Sequence, residues 1–248
     1  MRTLKLTIAY DGTRYAGWQV QRRGTRKPTV QGTIEQTLRQ ILQEPVNVVG
    51  SGRTDAGVHA LAQIAHLKTR TIIPHKRLLR SLNQLLPHDI AITHLEEANG
   101  SFHARFDTVA KRYRYRLFTG AVVPPFIRPY VHHVGVPLNT ALMRREAASL
   151  RGRHDVRAFA RTGQAARGTV RTITRIELRR RGAELHLNIE GTGFLHTMVR
   201  SIMGTLIDIG RGRLPAGTIR RMLRTGDRRL AGTTAPPHGL TLVSVDYA

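Results

Sequence analysis

Leu4, Leu6 and Ile8 alternate with polar residues near the start of the chain, and the way such period-two stretches interleave with helical ones limits the fold more than any other feature. After that first strand pattern, Val30, Ile34, Leu38, Ile41 and Leu42 recur on one helical face, and Pro45 ends the helix. Two short strand patterns follow at Val46 to Val49 and Ala62 to Leu67. Pro74 then opens a second helix with Leu78, Leu79, Leu82, Leu85 and Leu86 inward, and Asp89 to Leu95 closes the set. The order β-α-β-β-α-β predicts a ferredoxin-like (split βαβ) unit on an antiparallel sheet, covering residues 1–106.

The remainder, 107–248, repeats the order. A strand at Lys111 to Phe118 precedes a helix at Thr140 to Leu150, a hairpin about Arg181-Gly182 and a helix at Thr197 to Ile209. An extra helix starts after Pro215, with Ile219, Met222 and Leu223 apolar, and Leu240 to Val245 forms the last strand. The expected class is α+β: two ferredoxin-like halves with their sheets side by side and a basic cleft between them. Gly24 to Thr29 and Gly163 to Gly168 read as mobile basic loops.

Composition decides which partners such a chain suits. Forty Lys and Arg against 16 Asp and Glu give a formal charge of +24, whose self-repulsion a polyanion relieves, and nucleic acid leads. Only Lys5, Lys27, Lys68, Lys76 and Lys111 are lysines; arginine forks grip phosphate and stack on bases better, although coding bias explains the same excess. Clusters such as Arg179 to Arg181 are equally well solvated hairpin tips. With no cysteine, disulfides, thiolate metal sites and cysteine nucleophiles are ruled out. Neither a signal core nor an apolar run long enough for a membrane span is present, so a cytoplasmic protein with no membrane partner is expected.

Gly50-Ser51-Gly52-Arg53-Thr54-Asp55-Ala56-Gly57-Val58-His59 sets three glycines and two small residues around one arginine and one aspartate, directly after a strand. Such a loop lets backbone approach a ligand, but an aspartate there serves as a turn former or cap at least as readily as a catalyst. The run Gly52 to Ala60, GRTDAGVHA, resembles the signature of the TruA family of tRNA pseudouridine synthases. The likeness extends through Tyr10-Asp11-Gly12, Tyr15, Gly17-Trp18-Gln19, Val30-Gln31, Asn83, Leu86-Pro87 and Phe102-His103-Ala104-Arg105. It continues through Lys111-Arg112-Tyr113-Arg114-Tyr115, Phe194-Leu195, Met198-Val199-Arg200, Asp227-Arg228, Ala231-Gly232, Ala235-Pro236 and Gly239-Leu240. Two departures stand out: Val156 follows His154-Asp155 where the family has an aromatic, and the basic stretch Arg22 to Lys27 is longer than in many members.

The resemblance implies isomerisation of uridine to pseudouridine in the tRNA anticodon stem-loop, at tRNA positions 38 to 40, without a cofactor or metal, by a homodimer. Asp55 falls on the family's nucleophile, Tyr113 on its active-site tyrosine and Arg200 on the basic partner of the aspartate. Arg53 falls on the motif arginine, and His59, Arg105 and Phe194 on further substrate-binding positions. Taken by themselves, these residues have plainer uses. Tyr113, Tyr115 and Leu117 alternate as a buried strand face would, and Arg200 on an apolar helix either meets an anion or reaches out to solvent. Arg53 suits a phosphate. Asp11 reads as a hairpin turn and Trp18 as core. His59 and His66 lie an odd interval apart on one strand, and His132 and His133 diverge likewise, so no metal is expected. Two other functions fit the charge. A non-catalytic RNA-binding protein wants sheet-face aromatics, against an aromatic content of 5%, and a nucleoside hydrolase wants a second convergent carboxylate.

Overall fold

The computed structural model describes residues 1–21, 27–160 and 168–248. Most of the two predicted basic loops, and of the Arg22 to Lys27 stretch, lies outside them. The protein is α+β, with ten strands among the described residues, and separates into two compact units, Met1–Val109 with Leu242–Ala248, and Ala110–Thr241.

In the first unit β1 (Arg2–Tyr10), α1 (Val30–Leu42), β2 (Val49–Gly50), β3 (His59–Thr69), α2 (His75–Leu85) and β4 (Ile90–Ala98) follow in turn. The sheet order is β4-β1-β3, with β2 against β3 and every pairing antiparallel. Leu4, Leu6 and Ile8 are fully buried from β1, as are Ile34 and Leu38 from α1 and Leu78 and Leu82 from α2. The Thr29 hydroxyl accepts from the Gly32 amide to start α1, and Gln43 ends it with a left-handed backbone at φ 52°.

Two expectations are corrected. Leu85 is half exposed rather than inward, because it is the last residue of α2; Leu86 leaves the helix in extended backbone and turns in instead. In the Val46 to Val49 stretch Val46 and Val48 are buried and Asn47 is exposed, and strand pairing begins only at Val49. The Val48 amide donates to Glu35 Oε1 and its carbonyl accepts from Gln31 Nε2, each at 3.0 Å, so α1 side chains take the bonds a ladder would have made. Asn83 does the same for β4, donating to the Ile92 carbonyl and accepting from the Ile92 amide, both at 2.8 Å.

The second unit contains β5 (Thr108–Phe118), β6 (His132–His133), α3 (Thr140–Ala148), β7 (Gly152–Asp155), β8 (Val170–Arg181), β9 (Glu184–Gly191), α4 (Met198–Gly210) and α5 (Thr218–Thr225). Its sheet runs β5-β9-β8-β7, with β6 parallel to β5. The alternation in β5 sorts two faces: Tyr113, Tyr115 and Leu117 are buried, while Arg112, Arg114 and Arg116 bond Glu190, Asn188 and Glu184 of β9. The Arg116 guanidinium holds the Glu184 carboxyl below the usual range. The last strand, β10 (Leu240–Tyr247), lies beside β3.

Helix α4 is buried on nearly every side. A Cβ on Gly204 would stand 1.7 Å from the Thr233 carbonyl oxygen, so only glycine lets the 231–235 segment lie this close to the helix. That segment is fastened at each step: Gly232 N–H donates to Thr205 Oγ1 and Thr233 N–H to Asp208 Oδ2, both at 3.1 Å, and Ala235 N–H donates to the Arg200 carbonyl. Gly204→Ala is expected to lower stability by about 3 kcal/mol or more, because two backbones must separate and several bonds lengthen together. Urea denaturation measures this; an unchanged midpoint would show the contact to be looser than 1.7 Å implies.

Candidate active site

The loop between β2 and β3 is fixed from beneath by the residues that follow β1. Thr54 is buried; its hydroxyl bonds the Tyr10 hydroxyl at 2.8 Å, and its carbonyl accepts from the Trp18 amide at 3.1 Å. Gly17, at φ +97°, brings its Cα so near that a Cβ would lie 2.6 Å from the Thr54 carbonyl oxygen. Gly12 is tighter still, with 2.0 Å from such a Cβ to the Val58 carbonyl oxygen. Trp18 is core, its ring against Gly50. The Tyr10-to-Gln19 run and the Gly52-to-Ala60 run are therefore two sides of one packed object, with no room for a side chain at the contacts.

Asp11 is not a hairpin turn. Its carboxylate accepts from the Thr13 amide at 2.9 Å and caps a single 3-10 turn, Gly12–Arg14, which brings Gly12 onto the motif loop. His59 is buried at the loop's far end. Its Nδ1 lies 3.1 Å from both the Gly12 amide and Asp11 Oδ1. The amide needs a bare Nδ1 and the carboxylate a protonated one, so which of the two bonds forms depends on which ring nitrogen carries the proton.

With Thr54 pinned inward, its neighbours are left toward solvent: Arg53 is exposed and Asp55 half-buried. The Asp55 carbonyl accepts from Val58 N–H at 3.1 Å, closing a turn in which Gly57 takes φ +77°. Arg53 Nε donates to Gln19 Oε1 at 3.3 Å; Gln19 Nε2 donates to Gln31 Oε1 at 2.7 Å, and Gln31 Nε2 to Glu35 Oε1 at 3.0 Å. A chain of amides thus runs from the buried face of α1 to the motif arginine.

In the second unit Tyr113 is buried with its ring edge-on to Phe194, at 5.0 Å between centroids and 79° between planes. Tyr115 is structural: its hydroxyl donates to the Pro236 carbonyl at 2.8 Å, and burial pushes its pKa up. Arg200 is half-buried, and its Nε donates to the Ala235 carbonyl at 2.9 Å. That bond fixes the guanidinium plane by one edge. Arg105 is exposed in the first unit. Among the described residues no group of three or more His, Asp or Glu could hold a metal ion, and no helix is long and apolar enough to cross a membrane.

The family described as "tRNA pseudouridine synthase" matches residues 6–107 and 147–248, which takes in the motif loop and α4 alike. The chain belongs to the tRNA pseudouridine synthase family. These synthases are isomerases. The chain is 42% identical over 247 residues to "tRNA pseudouridine synthase A" of an Exiguobacterium species, covering 100% of this chain and 98% of that one. To the protein of the same name from Thermoanaerobacter sp. strain X514 it is 38% identical, with 100% of each covered. A solved structure, "Crystal Structure of a Cbf5-Nop10-Gar1 Complex", aligns with 96% of this chain and 48% of its own at 10% identity and a TM-score of 0.39, too slight a likeness to carry argument.

Seen in a synthase, several matched positions have local reasons. Gly12 and Gly17 permit the two runs to touch, Gly239 leaves room for the Tyr115 ring, and Ala235 supplies the carbonyl that holds Arg200. Thr205 and Asp208, which tie the 231–235 segment to α4, were missed in the sequence. The available signal was a threonine and an aspartate interrupting an otherwise apolar helix, where each needs a partner.

Proposed function

We propose that this synthase converts uridine to pseudouridine in the anticodon stem-loop of tRNA, at positions 38 to 40, with Asp55 as nucleophile. The observation carrying the reading is the Asp55 turn itself: a carboxylate left half-buried on a loop whose neighbours on both sides are clamped by backbone contacts. Positioning of that kind is what a nucleophile requires, since freezing the approach beforehand removes much of the entropic part of a barrier. The N-glycosidic bond breaks and a carbon–carbon bond forms to the same ribose. One proton leaves the ring carbon and one is placed on the freed nitrogen, so the formula is unchanged and the balance calls for no oxidant or reductant.

Tyr113 then stacks on the turning base and receives the proton leaving carbon, with Phe194 setting its ring. Arg200 supplies the cation the reacting carboxylate needs. Arg53, His59 and Arg105 serve substrate binding, Arg53 as a guanidinium beside the base and phosphate, His59 by holding the loop from below. The protein acts as a homodimer in the cytoplasm, without a cofactor. The excess of basic residues supports tRNA as the partner. Incubating purified protein with unmodified tRNA and mapping pseudouridine tests the reading: modification is expected at positions 38 to 40, and none, or modification confined to other regions, would overturn it.

A further inference from the structure

We propose that Phe106 is the exposed end of a preformed stacking platform for an unpaired nucleobase of the bound RNA; this rests on the tRNA reading above. A lone exposed phenylalanine is ordinary on a protein surface. This one is 75% exposed yet held in place. Its ring stacks on His103 with centroids 4.2 Å apart and planes 28° off parallel.

The His103 ring is itself fixed by the backbone that carries it. Its Nδ1 accepts from the amides of Arg105 at 3.2 Å and Phe106 at 3.3 Å, and the His103 amide donates to Asp107 Oδ2 at 2.8 Å. Beneath, His103 lies 4.8 Å from the buried His66, whose Nδ1 accepts from the Ala104 amide at 3.1 Å. The Ala104 carbonyl is bonded by both Tyr247 at 2.7 Å and Thr108 at 2.8 Å. A column of rings therefore rises from the core of the first unit and ends in an exposed phenyl ring held by its contacts within the chain.

The ring's surroundings select the occupant. Phe106 sits between exposed, charged Arg105 and Asp107, and the Arg105 guanidinium lies 5.8 Å from its centroid. A protein partner buries a contiguous apolar patch; one rigid aromatic ring beside a cation is the arrangement that holds a single base and its phosphate. Every base offers a π face, so the platform takes a splayed base irrespective of sequence. Its low ordering cost makes the stack count toward affinity.

The test uses the full chain with unmodified tRNA and three variants. Phe106→Ala is expected to weaken binding by about five- to 150-fold, the range for losing one stacked base. Phe106→Trp restores affinity, and RNA quenches its emission beyond any change seen in the parent protein, whose Trp18 is 1% exposed and shielded from contact. Phe106→Leu, apolar but not planar, does not restore affinity. Parent-like binding by the Ala variant, equal rescue by Leu, or unchanged Trp emission would each overturn the platform. Failure of the underlying reading shows separately, as absence of pseudouridine with the parent protein, because binding and emission need no turnover.

Discussion

Asp55→Asn is expected to abolish pseudouridine formation, with a single-turnover rate at least about a thousandfold below the parent, while tRNA affinity stays within about threefold. The amide keeps the size and an acceptor oxygen of the carboxylate but is no nucleophile. The loop should survive the change, because its shape rests on main-chain and neighbouring groups. Thr54 bonds Tyr10 and Trp18, Gly12 and Gly17 press against it, and the Asp55 carbonyl closes its turn with Val58. A thermal midpoint equal to the parent's, beside a lost rate, would isolate chemistry from folding. A rate within tenfold of the parent would remove Asp55 from the reaction, and would leave the fastened loop as an RNA-binding feature alone.

How far the sequence disclosed this depends on the kind of contact involved. Periodicity was sufficient wherever a side chain's fate follows from its own element, as for Leu4, Leu6 and Ile8 on β1 or Tyr113 and Tyr115 on β5. It failed at ends and at substitutes for regular bonding. Leu85 falls past the last inward turn of its helix, and Val48 satisfies its backbone through Gln31 and Glu35, which look like ordinary polar helix residues until their partners are seen. Asp11 was legible as a turn residue but not as the cap that delivers Gly12 to the motif loop. The grouping of Leu242–Ala248 with the first unit has no local signature either, because it depends on where the chain returns after more than a hundred residues.

Within the site, the carboxylate loop was readable from its glycines and from its resemblance to a known signature, whereas the support of Arg200 was not. Arg200 and Ala235 are far apart in sequence and meet through a carbonyl, a group every residue possesses. What prepares that meeting is Gly204, whose missing side chain admits the 231–235 segment, together with Thr205 and Asp208, which hold it there. Residues that position others through backbone leave almost no compositional mark, so they are the part of a site that sequence reading loses first.

Arg200→Ala is expected to lower the single-turnover rate by about a hundredfold or more and tRNA affinity by no more than about threefold. The argument is one of geometry. A phosphate-gripping arginine gains from a free, exposed guanidinium, but Arg200 is half-buried on an otherwise buried helix, with Nε committed to the Ala235 carbonyl. Orientation at that cost suits a charge needed in one place during the reaction, rather than one that follows a mobile backbone phosphate. The 231–235 segment keeps its bonds from Gly232, Thr233 and the Ala235 amide in the variant, so the loss reports the guanidinium rather than the helix. Arg200→Lys sharpens the test, because lysine restores the charge without an Nε to donate or a plane to orient, and should recover little of the rate. Weakened binding with an unchanged rate would assign Arg200 to the RNA backbone, and full recovery by lysine would show that charge alone, without the Ala235 contact, is what the reaction uses.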